Sequence, residues 1–329
     1  MNYIEFKKTR QFGDKISATF EFIKLNFKPL FTVLLNIAGP AILLSSVVYV
    51  MFLNEISGLF SNIQSGVDFF TFDFGLKIFL YMLLVSISYL LLVVSVLEYI
   101  NIYNEKKVSD ISVAEVWDRV RKSFVHAFFG SFFILLLFIV LGVLSSMIFA
   151  VIVQVPVLSV FAVMGLIIFF IYLVVAVSLF NNILINERKG VSDFNEIIAR
   201  CFYLVKGKWW STFGILIISG IIVNILSTVL SIPLGASQLT EFFTAIRNGE
   251  SSNSAMYDYS LWELVYTGIA FIGQQLFYVI TIVALSFQYF NLVERREAKG
   301  LVEQIGGIES NSEDAPKNRT SKGDEEEHY

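Results

Sequence analysis

Six stretches of the chain are long and apolar enough to cross a lipid bilayer, at about 30–53, 76–103, 127–153, 158–185, 211–235 and 263–292. Each exceeds the roughly 20 residues that a helix needs to traverse about 30 Å of hydrocarbon. Backbone N–H and C=O groups cannot be left unpaired in lipid, so the spans are expected to be helices. Composition agrees: 56% of the 329 residues are hydrophobic and 16% are charged, against about 25% charged in an ordinary soluble domain. The expected class is an all-α integral membrane protein with six transmembrane helices.

The cations give an orientation. The N-terminus, the segments around 104–126 and 186–209, and the C-terminal tail hold 22 of the 24 Lys and Arg residues. The opposite side carries only Lys77 and Arg247, beside Glu55, Asp68, Asp73, Glu241, Glu250, Asp258 and Glu263. The positive-inside rule then places both termini in the cytoplasm. The first 28 residues are too long and too mixed for the leading part of a signal peptide, so the first span is expected to direct insertion. The net charge of −4 is set by the acidic tail, and no basic domain is available for nucleic acid.

A charged phrase recurs at the basic junctions. NEKKVSD occupies 104–110, NERKGVSD occupies 186–193, and VERREAKGL follows the last span at 293–301. An apolar stripe at helical spacing precedes each odd span: Ile16, Phe20, Ile23 and Phe27; Val113, Trp117, Val120 and Phe124; Phe194, Ile198, Cys201 and Val205. Capping signals open two of these stripes, at Ser112 with Glu115 and at Asp193 with Glu196. Lys15, Glu21 and Lys24 fall on the polar face of the first. The expected unit is an amphipathic cytoplasmic helix plus a transmembrane hairpin, repeated in parallel over 1–107, 108–189 and 190–297. The amphipathic helices would lie in the membrane interface or brace the bases of the spans.

The loops on the far side differ, with 54–75 and 236–262 long and 154–157 short. YDYSLWE and FFTFDFG in the long loops read as recognition surfaces or as aromatic anchors at the interface. Residues 298–329 form an acidic tail with little to bury, expected to be largely disordered. Gly39-Pro40 should kink the first span and Pro233 should bend the fifth. Gly142, Ser146 and Ala150 in the third span, and Ser227, Ser231 and Gly235 in the fifth, form small-residue ridges suited to close helix packing.

Little chemistry is on offer inside the spans. Glu98 is the one ionisable residue well inside a span; it reads as a proton or cation site, or as an interfacial carboxylate near Lys106 and Lys107. Uncharged polar residues are more frequent: Asn36, Asn101, Asn181, Asn182, Asn224, Gln274, Gln275, Gln288 and Asn291. Several gather near the cytoplasmic ends of the even spans, where they would line a polar pathway or bond helix to helix. No metalloprotease, phosphate-loop or nucleophile-elbow motif occurs, and His126 and His328 are the only histidines. One cysteine allows no internal disulfide and no structural zinc site. No catalytic residue, metal or cofactor is therefore expected.

The stretches FEFIKLNFKPLF, LVKGKWWSTFG at 204–214 and QYFNLVERREAKGL at 288–301 carry a resemblance. The chain resembles the membrane domain found beside some bacterial glycerophosphodiester phosphodiesterases, of which stand-alone forms occur in Bacteroidota. The resemblance covers about residues 5–308 and implies a multi-pass protein of a bacterial inner membrane. The phosphodiesterase domain itself is absent, so its activity is not implied. Some proteins of this kind carry a carotenoid-oxygenase label, but that chemistry needs four histidines on iron. Mitochondrial carriers share the scheme of three hairpins, yet Pro29, Pro40 and Pro233 lack the charges that follow proline in that family.

Two functions fit these residues best. One is a non-enzymatic scaffold or accessory subunit in envelope or lipid homeostasis, contacting membrane lipids and a membrane or cytosolic protein partner. The other is a transporter or lipid-translocating protein with a pathway between the repeats. The first expects the amides paired in a solid bundle, and the second expects them to share a cavity.

Overall fold

The computed structural model describes residues 3–63, 72–108, 110–152, 154–187, 193–248 and 260–298, and every regular element among them is helical. Residues 188–192 of the second charged phrase, parts of both long loops and almost all of the acidic tail fall outside the described residues.

The chain begins with α1 (Phe12–Leu25) and α2 (Phe27–Ile37), separated by Asn26. Asn26 ends one helix and opens the next: its backbone N–H and its Nδ2 both donate to the Phe22 carbonyl at 3.0 Å, and its Oδ1 accepts from Tyr99 at 3.0 Å. The side chain thus competes with the helical ladder, the usual reason that Asn interrupts helices. A second break at Ala38 leads into α3 (Gly39–Ile63), and the two halves of the first span meet at 60°. Pro40 has no N–H for the helix and its ring opposes the preceding turn, which accounts for the expected kink.

The remaining helices are α4 (Phe72–Lys106), α5 (Val113–Ile152), α6 (Pro156–Val177), α7 (Phe180–Asn186), α8 (Phe194–Val205), α9 (Trp209–Asn248) and α10 (Leu261–Glu297). Among the described residues five helical stretches are long and apolar enough to span a membrane, and the bent pair of α2 and α3, counted as one span, makes a sixth. The structure is that of a multi-pass all-α membrane protein.

Two expectations about boundaries are corrected. The amphipathic stretch at 113–124 is not a separate helix, because α5 runs unbroken from it into the third span. Nothing between Ser123 and Ala127 interrupts a helix, whereas Asn26 separates α1 from α2 and Gly207, at φ 77°, turns the chain between α8 and α9. A residue with a Cβ would be strained in that left-handed conformation. The long loops are also shorter than hydropathy implied: α3 continues to Ile63, and α9 passes through Pro233 to Asn248. Falling hydropathy marks where hydrocarbon ends, not where a helix ends.

Packing centres on α4 and α10. α10 lies against α9, α3, α1 and α4, while α4 also packs on α5, α2 and α7. The core is concentrated at the end where α4, α7 and α10 finish, termed the base. Leu90–Tyr103, Leu179–Ile185 and Val279–Val293 supply most of its buried side chains. The segment before α1 tucks into it: Phe6 is fully buried, stacked on Phe287 at 4.1 Å and edge-on to Phe22 at 5.1 Å. Beside it α5 comes close to α7 and α8 at Gly130, where an added Cβ would lie 2.9 Å from the Phe180 ring and 3.1 Å from the Phe194 ring.

Candidate functional site

Two groups of polar side chains in and beside the spans lie at different levels. The first fills the base. On α1 the face turned to the protein is Lys15, Ala18, Thr19 and Phe22, not the stripe of Ile16, Phe20, Ile23 and Phe27. Lys15, expected on the polar face, is 2% exposed. Small residues at 18 and 19 let α1 approach α10 closely, which draws the lysine inside. Its Nζ donates to Gln288 Oε1 at 2.5 Å and to Ser211 Oγ at 3.0 Å, and lies 5.8 Å from the centre of the Phe12 ring. Gln288 Nε2 in turn donates to Thr212 Oγ1 at 2.9 Å. Burial, aided by Arg295 and Lys208 nearby, pulls the Lys15 ammonium down to about 8 from its usual 10.5.

Asn291 works one turn along α10. Its Oδ1 accepts from the backbone N–H of Arg10 at 2.7 Å and from Arg295 Nε at 3.4 Å. The Arg10 guanidinium sits 5.1 Å from the centre of the Phe287 ring and donates to the Glu5 carbonyl. Asn182 Oδ1 accepts from Ser286 Oγ at 3.0 Å, joining α7 to α10, and Ser131 Oγ donates to Asn181 Oδ1 at 3.4 Å. Glu98 is 6% exposed and accepts from Ser123 Oγ, joining α4 to α5. Asn101 is half-buried on α4, with no hydrogen bond shown to a described residue.

An ion network closes the edge of the base. Arg200 on α8 forks onto Glu187 at 2.9 and 3.2 Å and also pairs with Glu297 on α10. Tyr289 donates to Glu187 at 2.9 Å, and the Tyr203 ring lies under Arg200 at 5.4 Å and Arg296 at 4.6 Å. Burial opposes the Arg200 charge, but bonds to Glu187 and Glu297 hold its pKa above the ordinary value. Burial first, and then Glu187, pushes the Cys201 thiol up to about 12, so it is a packed apolar group and not a nucleophile.

The interfacial candidates divide by exposure. Phe20, Phe27 and Trp117 are exposed, Ile23, Phe124 and Ile198 are half-buried against the core, and Val120, Cys201 and Val205 are buried. Lys15, Arg10, Glu187, Arg200 and Tyr289 were absent from the sequence-derived candidates. For Lys15 a signal existed in the small and apolar residues three, four and seven positions ahead of it. For Arg200 none did, because its partners come from 13 residues before and 97 residues after it in the chain.

The second group lies midway along α4 and α10. There Val85, Tyr89, Phe271, Gln274, Gln275 and Tyr278 line a cleft of about 340 Å³. Gln274 and Gln275 are thus separated from the amides of the base, and the amides as a set do not converge on one cavity.

No protein-family model, curated protein or solved structure matches this chain.

Proposed function

We propose that this chain is a non-enzymatic scaffold or accessory subunit of a bacterial inner membrane, acting in envelope or lipid homeostasis. In this reading the chain is three parallel repeats, 1–107, 108–189 and 190–297, with both termini and the base in the cytoplasm. The observation that carries it is that Gln288, Asn182 and Lys15 at the base are hydrogen-bonded across helices, and Asn291 to the backbone of the segment before α1. Polar groups committed to one another in this way hold helices together and do not solvate a passing solute. A cyclic order of contacts adds support to the repeat: α1 rests on α10, the start of α5 on α4, and α8 on α7. Phe20, Phe27 and Trp117 remain exposed at that end, as side chains that meet lipid head groups or a partner protein would be. The resemblance to membrane domains beside glycerophosphodiester phosphodiesterases points the same way.

The test is reconstitution of the purified chain in liposomes. The expected result is no lipid scrambling and no solute flux above empty vesicles, with a partner recovered by cross-linking through residues substituted at Phe20 or Trp117. Protein-dependent flux would overturn the scaffold reading. It would favour the second one, a transporter or lipid-translocating protein, for which the cleft between α4 and α10 is the specific observation.

A further inference from the structure

The cleft between α4 and α10 is lined by exposed Gln274 and Tyr89 as well as by buried Gln275. Gln275 is only 6% exposed. No hydrogen bond to a described residue is made by its carboxamide, by that of Gln274, or by the hydroxyls of Tyr89 and Tyr278. In water such groups would simply be hydrated. Midway along two membrane-spanning helices there is no such solvent, and an unpaired amide is costly. Elsewhere in this fold the buried amides Gln288 and Asn182 have protein partners.

The chemistry of the walls restricts what could satisfy these groups. Among the described residues no charged side chain lines the cleft, so a phosphate, carboxylate or ammonium would enter without a counter-charge from them. Three rings frame it: Tyr89 meets Tyr278 edge-on at 5.8 Å, and Phe271 is held from behind by Tyr49 at 4.9 Å. Carboxamide N–H and phenol O–H groups among aromatic faces suit a flat guest that offers oxygen acceptors. The volume is near the lower end for ligand pockets, enough for a ring and the start of a tail.

We infer that this cleft binds an uncharged, flat, carbonyl-bearing ring on an apolar tail, of the isoprenoid-quinone class, entering sideways from the lipid. Gln274 and Gln275 donate to the ring oxygens, Tyr89 and Tyr278 supply hydroxyl donors, and Phe271 packs against the ring. The inference concerns binding alone. It depends on α4 and α10 being spans and not on the scaffold role, so its failure would leave that reading standing.

The experiment uses the full chain in phospholipid nanodiscs, titrated with a decyl-substituted 1,4-benzoquinone while its intrinsic fluorescence is followed against empty nanodiscs. Saturable quenching is expected, with an affinity at least about tenfold weaker in Gln274→Leu/Gln275→Leu, as loss of two hydrogen bonds in lipid implies. Decylbenzene, which has the tail without the oxygens, should not displace the quinone. Equal affinity in the double variant, displacement by decylbenzene, or quenching that never saturates would each overturn the inference. Should the double variant misfold, Tyr89→Phe/Tyr278→Phe removes only two hydroxyls. It should still weaken binding several-fold, and an unchanged midpoint would again overturn the proposal.

Discussion

The base end of α10 and the far end of α5 are both long apolar runs, yet they meet opposite surroundings. From Val279 to Val293 almost every α10 side chain is buried, including Ser286, Gln288 and Asn291. From Ser131 to Ile152 no α5 side chain is buried, and Met147, Ile148 and Val151 are each more than 60% exposed. The most apolar of the long helices, α6, is also mostly uncovered, whereas α10 is the least apolar of them and much better enclosed. In lipid the order is reasonable. Hydrocarbon is as good a neighbour for Leu as another Leu, so apolar content does not drive helices together. Amides, hydroxyls and charges that need partners do, and they mark the faces turned toward protein.

The largest effect expected from that difference is at Arg200. Removing its guanidinium in Arg200→Ala leaves Glu187 and Glu297 facing each other beside Tyr289, all substantially buried. A loss of about 3 kcal/mol is expected, the cost of stranding buried charge, read as a lower midpoint in detergent-induced unfolding. Arg200→Lys should recover only part of it, because an ammonium cannot fork onto the Glu187 carboxylate. A loss no greater than that from an exposed α5 substitution would break the contrast between the two regions.

Lys15 gives a smaller and pH-dependent effect. Its folded-state pKa of about 8 lies below the 10.5 of the free side chain. Between those values the unfolded chain binds more protons than the folded one, so stability must rise with pH across that window. From pH 7 to pH 9 the rise attributable to Lys15 should be about 1 kcal/mol. Lys15→Met should flatten the pH profile, because it removes the titrating amine that donates to Gln288 Oε1 and Ser211. A wild-type profile that falls between pH 7 and pH 9 would contradict the buried, uncompensated ammonium. A slope unchanged in Lys15→Met would assign it to another group.

What the sequence made legible follows the same physics. The spans, the kink at Gly39-Pro40 and the cations at one end could be read because each is a local consequence of lipid solvation or backbone covalency. The fusion of the 113–124 stretch with the third span could have been read too, since the junction holds no residue that stops a helix. The polar layer was half legible. Gln288, Asn182 and Asn291 stood out as amides in apolar runs and Lys15 had small residues on its face, but the partners Ser286 and Arg10 come from long-range contacts that no local pattern encodes. The same limit hid the split between the amides of the base and the pair at Gln274 and Gln275, which are merely two residues in a list until α4 closes against α10.

The smallest effect is expected at the far end of α5, and it is the most informative about what covers that surface. Met147→Ala and Val151→Ala remove side chains that are 63% and 75% exposed. Lipid refills the space, so no cavity forms of the kind that makes core truncations costly. Each should alter stability by no more than about 0.5 kcal/mol, as for a substitution remote from any packed contact. Such a result would fix α5 and α6 as the lipid-facing side of the molecule. If instead either variant lost more than about 1 kcal/mol in the native membrane but not as a purified monomer in detergent, another protein must cover this face. The open groove of about 500 Å³ between α5 and α6, lined by Gly142, Ser145, Ser146 and Phe170 among others, would then be the first place to cross-link.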